Sequence, residues 1–192
     1  ITVWETFLSF SLGTIIGIVI ATILWYLPFV HRVVEPYLTI LNSLPKVALG
    51  PIIIIWCGAG MKSIIFMALL ISVIITIINV YQGFMEIDPN KIRLLQSMKA
   101  TKTQIYRYLV LPGAFNTIIS ALTINISLTL IGVIMGEFLV SKSGIGYLIM
   151  YGSQVFNLDL VITGVFILCI VAALMYYSIF YLEKLLIKHS KR

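Results

Sequence analysis

Long apolar runs separated by short polar interruptions dominate this chain. The first runs from about Phe7 to Leu27, uncharged throughout, and Pro28, His31, Arg32 and Glu35 close it. A second apolar region, about Tyr37 to Trp56, is interrupted by Asn42, Ser43, Pro45, Lys46, Gly50 and Pro51. Proline removes an amide donor and kinks a helix. Irregular backbone survives in lipid only where protein covers it or a cavity wets it, so this span is expected inside a bundle. Gly58-Ala59-Gly60 reads as a tight turn, and a clean third span covers about Ser63 to Tyr81. The fourth, about Ala114 to Met135, carries Asn116, Thr117, Ser120, Thr123, Asn125, Ser127 and Thr129. Such residues in membrane helices face other helices or a water path. A looser region with Glu137, Lys142, Gly144 and Gly146 precedes a fifth span, about Leu160 to Leu182. A crossing needs about 20 mostly apolar residues. The pattern therefore predicts an all-α integral membrane protein, a bundle of about five transmembrane helices in a single domain over residues 1–192.

The segment from Glu86 to Pro112 departs from this pattern. It holds Lys91, Arg93, Lys99, Lys102 and Arg107, five of the thirteen Lys and Arg, and is too long and too patterned for a simple turn. Asp88-Pro89 starts a helix, because Asp caps free amides and Pro suits the first helical position. Ile92, Leu95 and Met98 then recur every three residues among polar ones, which makes the helix amphipathic. Thr101-Lys102-Thr103-Gln104 has the form of a capping box and begins a second helix with Ile105, Tyr108 and Leu109 on one side. The segment is thus a helical hairpin turning near Ala100. It either lies on anionic lipid or inserts its turn into a partner protein.

Composition agrees with the membrane assignment. Of the residues, 60% are hydrophobic and 10% charged, with mean hydropathy +1.09, against roughly half and a quarter in soluble domains. The net charge of +6 gathers in a few loops, as expected of a cytoplasmic membrane face, and does not point to nucleic acid. Arg32, the five charges of the hairpin, Lys184, Lys188, Lys191 and Arg192 share one face; Lys62 and Lys142 lie on the other. The hairpin face is therefore cytoplasmic. Five spans then leave Ile1 outside, and a further N-terminal helix is expected to precede it. Cys57 and Cys169 sit in different apolar spans, and neither His31 nor His189 has ligand spacing to a second His or Cys, so no metal or other cofactor is expected. No Gly-x-x-x-x-Gly-Lys-Ser/Thr phosphate loop is present. An ion-driven carrier would show buried ionisable relay residues, a membrane enzyme would show a nucleophile or ligand cluster, and an assembly subunit has no use for a twice-capped hairpin.

With those residues placed, a resemblance becomes visible. Asp88-Pro89, Met98-Lys99-Ala100-Thr101 and Val110-Leu111-Pro112-Gly113-Ala114 resemble the cytoplasmic loop of binding-protein-dependent ABC importer permeases. Pro45-Lys46-Val47-Ala48-Leu49-Gly50-Pro51 and Trp56-Cys57-Gly58-Ala59-Gly60 are similar to the Pro-x-x-Ala-x-x-Pro and Trp-x-Gly-x-Gly patterns of the nitrate/sulfonate/taurine branch. Gly136-Glu137 and Ser143-Gly144-Ile145-Gly146-Tyr147-Leu148 resemble later segments of that branch. The matches span nearly the whole chain in the right order. Two departures stand out. Arg93-Leu94-Leu95 replaces the usual Glu-Ala-Ala, and Lys99 stands where the loop usually has glycine, which leaves the shape of the turn open.

The resemblance implies the type I ABC importer permease fold, with the hairpin as a cytoplasmic coupling helix, in a multi-pass protein of the bacterial inner membrane. It implies a second permease copy (homo- or heterodimer), cytoplasmic ATP-binding ABC subunits that hydrolyse the ATP, and an extracellular solute-binding protein that delivers a small polar solute of the sulfonate, nitrate, taurine or pyrimidine-precursor class. Arg93, Ser97, Met98, Lys99, Ala100 and Thr101 would meet the ATPase. Asn125, Ser127 and Thr129, with Lys46, are the candidates for the path, although Lys46 can instead snorkel to an interface and Asn125 can bond between helices. Glu137 either pairs with Lys142 or ends its span, and Gly144 and Gly146 are expected to turn an outer loop rather than cradle an anion.

Overall fold

A computed structural model describes residues 1–190, with side chains through Leu185. The side chains of Lys188 and His189, and residues Lys191 and Arg192, lie outside the described residues. The order is α1 (Thr2–Tyr26), α2 (Pro28–Ser43), a 3-10 turn (Lys46–Leu49), α3 (Gly50–Cys57) and α4 (Met61–Met85). There follow α5 (Pro89–Ser97), α6 (Lys102–Ile105), a π-turn (Tyr106–Val110), α7 (Leu111–Gly113), α8 (Phe115–Val140), α9 (Ile145–Gln154) and α10 (Leu158–Ser190). Four helices, α1, α4, α8 and α10, are long and apolar enough to cross a bilayer, and the α2–α3 pair, bent by 87°, makes a fifth if counted as one broken span.

The bundle is built around α4, with α1 on one side and α8 on the other. Both seams are made of small residues. Gly13 and Gly17 of α1 lie against Ser72 and Thr76, and Gly132 and Gly136 of α8 lie against Ala68 and Ile64. A β-carbon at Gly132 would stand 2.7 Å from the Ala68 Cα, and one at Gly136 would stand 2.9 Å from the Ile64 Cα. Helices in lipid gain nothing by hiding apolar side chains from water. They associate by close packing and hydrogen bonds, and glycines four apart permit that approach.

The second span differs from its sequence expectation. No residue of α2 is buried, so within the single chain it lies outside the bundle. Pro45 pushes Leu44 into an extended conformation (ψ 140°), as a residue before proline prefers, and this produces the bend. One carbonyl freed there is satisfied locally: the Lys46 Nζ donates to the Asn42 carbonyl at 2.7 Å.

The region after α8 is also more ordered than its sequence suggests. Helix α8 continues through Glu137 to Val140, and α9 runs antiparallel to α10, with Gly152 against Leu160 and Val161 and Gly164 against Ile149. Helix α10 is exposed along almost its whole length, so it needs lipid or another protein around it. Its far end returns to the hairpin end of the bundle, where Ser120 and Thr123 donate to the Glu183 carboxylate at 3.0 and 2.5 Å.

Gly136→Leu should lower stability by about 1–3 kcal/mol, the usual cost of overpacking, seen as a lower melting temperature in detergent. An unchanged melting temperature would mean that α4 and α8 are not in close contact.

Candidate functional site

Local signals fold the hairpin. The Asp88 carboxylate accepts from the Asn90 amide at 2.8 Å and starts α5. The capping box at α6 closes in both directions, with the Gln104 amide donating to the Thr101 hydroxyl at 3.3 Å and the Thr101 amide donating to the Gln104 Oε1 at 2.7 Å. Between the helices the Lys99 amide donates to the Gln96 carbonyl (2.9 Å) and the Ala100 amide to the Leu95 carbonyl (3.0 Å). This crossed pair is the Schellman closure, which needs a left-handed residue. That residue is Lys99, with φ 60°. The turn thus keeps the backbone a glycine would give, at a cost a glycine would avoid.

One face of the hairpin is fixed to the bundle. Ile105, Val110 and Ala114 are buried with Ala21, Val80 and Phe84, and Ile92, Leu95, Ala100 and Tyr106 pack against them. The Tyr106 hydroxyl lies 2.8 Å from the Thr22 hydroxyl. The Lys102 ammonium donates to the Tyr26 carbonyl at 2.6 Å, at the end of α1, and stands 5.6 and 5.9 Å from the Trp25 and Tyr26 ring centres. A cation at a helix C-terminus satisfies orphan carbonyls, and a cation over an exposed ring adds about 0.5–1 kcal/mol. Neither tie is visible in the sequence, because the partners of Lys102 and Tyr106 lie 76 and 84 residues away.

The other face is free. Leu94, Met98 and Tyr108 are 60%, 70% and 71% exposed, and Arg93, Ser97, Lys99, Thr101 and Arg107 are exposed around them. Ala100 is half-buried and faces the bundle. Of the six expected docking residues, five therefore reach solvent and Ala100 supports them.

The four path candidates are not brought together. Asn125 is buried and its Nδ2 donates to the Thr14 hydroxyl at 3.0 Å, joining α8 to α1. Thr129 is buried and donates to the Asn125 carbonyl at 2.7 Å. Ser127 faces the other way, into an apolar groove of about 370 Å³ between α8 and α10. Lys46 sits at the α2–α3 bend. The larger cavity, about 550 Å³, lies at the hairpin end between α1, α2 and α4, where Arg32, Glu35, Thr39, Tyr81 and Gln82 supply its polar lining. His31, 3.7 Å from Tyr81 between ring centres, stacks on it there.

At the opposite end Glu137 is buried, with 1% exposure. It forms no ion pair with Lys142 among the described residues. Instead the Thr2 hydroxyl donates to its Oε1 at 2.6 Å and the Gly146 amide to its Oε2 at 2.6 Å, while the Ile145 amide donates to the Thr2 hydroxyl at 2.8 Å. Glu5 is buried beside it. Any side chain at Gly144 (φ 106°) would strike the carboxylate. Gly144 and Gly146 thus turn the loop, and the turn closes on the carboxyl group of the chain's own Glu137.

The chain is thus a bundle of membrane helices with a clamped, basic-tipped hairpin at one end and an ordered loop at the other. The family "binding-protein-dependent transport system inner membrane component" matches residues 13–191, and the chain belongs to it. The formylaminopyrimidine transport permease protein ThiX of Halalkalibacterium halodurans is 27% identical, over 96% of this chain and 74% of that one. The taurine transport system permease protein TauC of Escherichia coli is 23% identical, over 88% of this chain and 61% of that one. The fold matches that of the inward-facing MetNI methionine ABC transporter with a TM-score of 0.78 and 22% identity, over 95% of this chain and 93% of that one. The protein is a multi-pass inner-membrane permease subunit of an ABC importer.

Two substitutions test this geometry. Glu137→Ala should destabilise the protein by about 2–3 kcal/mol, since charge-assisted bonds are lost and buried donors are left unpaired. Glu137→Gln, which keeps one acceptor, should cost clearly less; equal melting temperatures would show that the carboxylate is not held as described. Lys99→Gly should stabilise the turn by about 1 kcal/mol, read as slower exchange of the Ala100 amide that closes on the Leu95 carbonyl.

Proposed function

We propose that the hairpin is the lever through which a separate ATP-binding subunit drives this permease. Arg93, Ser97, Met98, Lys99 and Thr101 enter a groove on that subunit, with Ala100 packed behind them. The observation that carries this reading is the hairpin's division of labour. One face is bonded to α1 and packed on α4 and α8, while the other presents Leu94 and Met98 to solvent within a basic rim. A lever must be rigid where it joins the moving body. The basic rim, Arg93 included, calls for an acidic groove on the ATPase.

Two permease copies enclose the path, and an external binding protein delivers the solute. The path runs along the face of α2 and α4 that holds the polar cavity, with Lys46 near its outer end. Asn125 and Thr129 act between and within helices. The solute is a small polar molecule of the sulfonate, taurine, nitrate or pyrimidine-precursor class; relatives named for taurine and for a formylaminopyrimidine support this range.

The test is co-purification of the permease with its ATP-binding subunit. Met98→Glu places a charge in the contact and should weaken association at least about thirtyfold, the scale of an interface hot spot, with the permease still folded. Wild-type association, or transport that proceeds without ATP, would overturn the proposal.

A further inference from the structure

Two non-glycine residues among those described have left-handed backbones, Lys99 (φ 60°) and Phe156 (φ 53°). They occupy the same position in the same motif at opposite ends of the bundle. At the end of α9 the Phe156 amide donates to the Ser153 carbonyl (3.3 Å) and the Asn157 amide to the Gly152 carbonyl (2.9 Å), again the Schellman closure. Asn157 then accepts from the Leu160 amide at 3.1 Å and starts α10. The turn is bonded on both sides, and Phe156 stands at its apex, 93% exposed. A bulky residue costs more than glycine in this conformation, and the exposed ring returns almost no packing. Strain without gain in the fold is a mark of function.

Its position indicates which function. Gly146, near the start of α9, touches Glu137 at the end remote from the hairpin. Helix α9 then runs outward along α10, so its ten residues carry the Phe156 turn up to about 15 Å beyond Glu137. Ser153, Gln154, Asn157 and Asp159 lie within three residues of Phe156 and are exposed, as are Val155 (48%) and Leu158 (74%); an exposed carboxylate and a non-helical turn are not tolerated facing hydrocarbon, so this apolar cluster meets water or protein. A rigid aromatic knob is the kind of group that anchors a protein interface, because little entropy is lost on seating it.

We propose that Phe156 is the anchor on which the external solute-binding protein docks, its ring entering an apolar socket whose rim offers donors or positive charge to Asp159. This rests on the importer reading above.

The experiment uses the complete importer in vesicles, with its ATP-binding subunits and its binding protein. Two quantities are read: the binding-protein concentration that half-maximally stimulates ATP hydrolysis, and the melting temperature. Phe156→Gly should hold or raise the melting temperature, because the strain is removed, yet raise the half-stimulating concentration about thirtyfold. Phe156→Leu should restore part of the affinity. If Phe156→Gly is stimulated at the wild-type concentration, the anchor assignment fails, including where the variant instead weakens dimer formation or lipid retention. A fall in melting temperature that accompanies the loss of affinity means the ring supports the fold, and also overturns it. If the binding protein does not stimulate even the wild-type importer, the importer reading itself fails.

Discussion

In a bilayer the usual driving force for burying apolar side chains is missing, so this bundle depends on how closely its helices approach. Helix α4 supplies the surface and its two neighbours supply the gaps: Gly13 and Gly17 on one side, Gly132 and Gly136 on the other. At the second seam the backbones come nearer than any β-carbon allows, which brings many weak dispersion contacts into range together. With α1, α4 and α8 fixed as one body, the other elements have something rigid to act on.

Both ends of that body are tied through α1. At the hairpin end its final carbonyl receives the Lys102 ammonium and its last turn receives Tyr106. At the other end Thr2 bonds both to Glu137 and to the amide that opens α9. One helix about 37 Å long by its 25 residues therefore joins the hairpin to the loop at the opposite end of the bundle.

What could be read in the sequence was whatever is local. Asp88-Pro89 and Thr101 with Gln104 act within a few residues, and the structure shows both caps. Ties between distant residues left no comparable trace: nothing near Lys102 announces Tyr26, and nothing near Glu137 announces Thr2. The turn at Lys99 was hard to read for another reason. Residue type suggests a backbone conformation only as a preference, and here the Schellman bonds override it. The glycine pairs of α1 and α8 are legible in principle, since small residues four apart mark a close helix seam, although polar residues beside them carry the stronger local signal.

Those polar residues explain why a polar membrane helix is not by itself a path. The hydroxyls of Thr6, Thr22, Thr76 and Thr129 each donate to the carbonyl four residues earlier in their own helix. A threonine satisfied in this way turns its methyl outward and packs like valine, so a helix can carry such oxygens, as α8 does at Thr129, and still pack closely. Asn125 bonds with Thr14 across the seam of α1 and α8. The bundle's seams still hold buried oxygens without a partner among the described residues, Asn125 Oδ1 and the Ser9 and Ser72 hydroxyls, while Arg32, Glu35 and Gln82 line the cavity beside α2. Helix α2 has no buried residue and carries Arg32 and Glu35 along that cavity, so its polar face, unlike that of α8, is not taken up by packing within the chain.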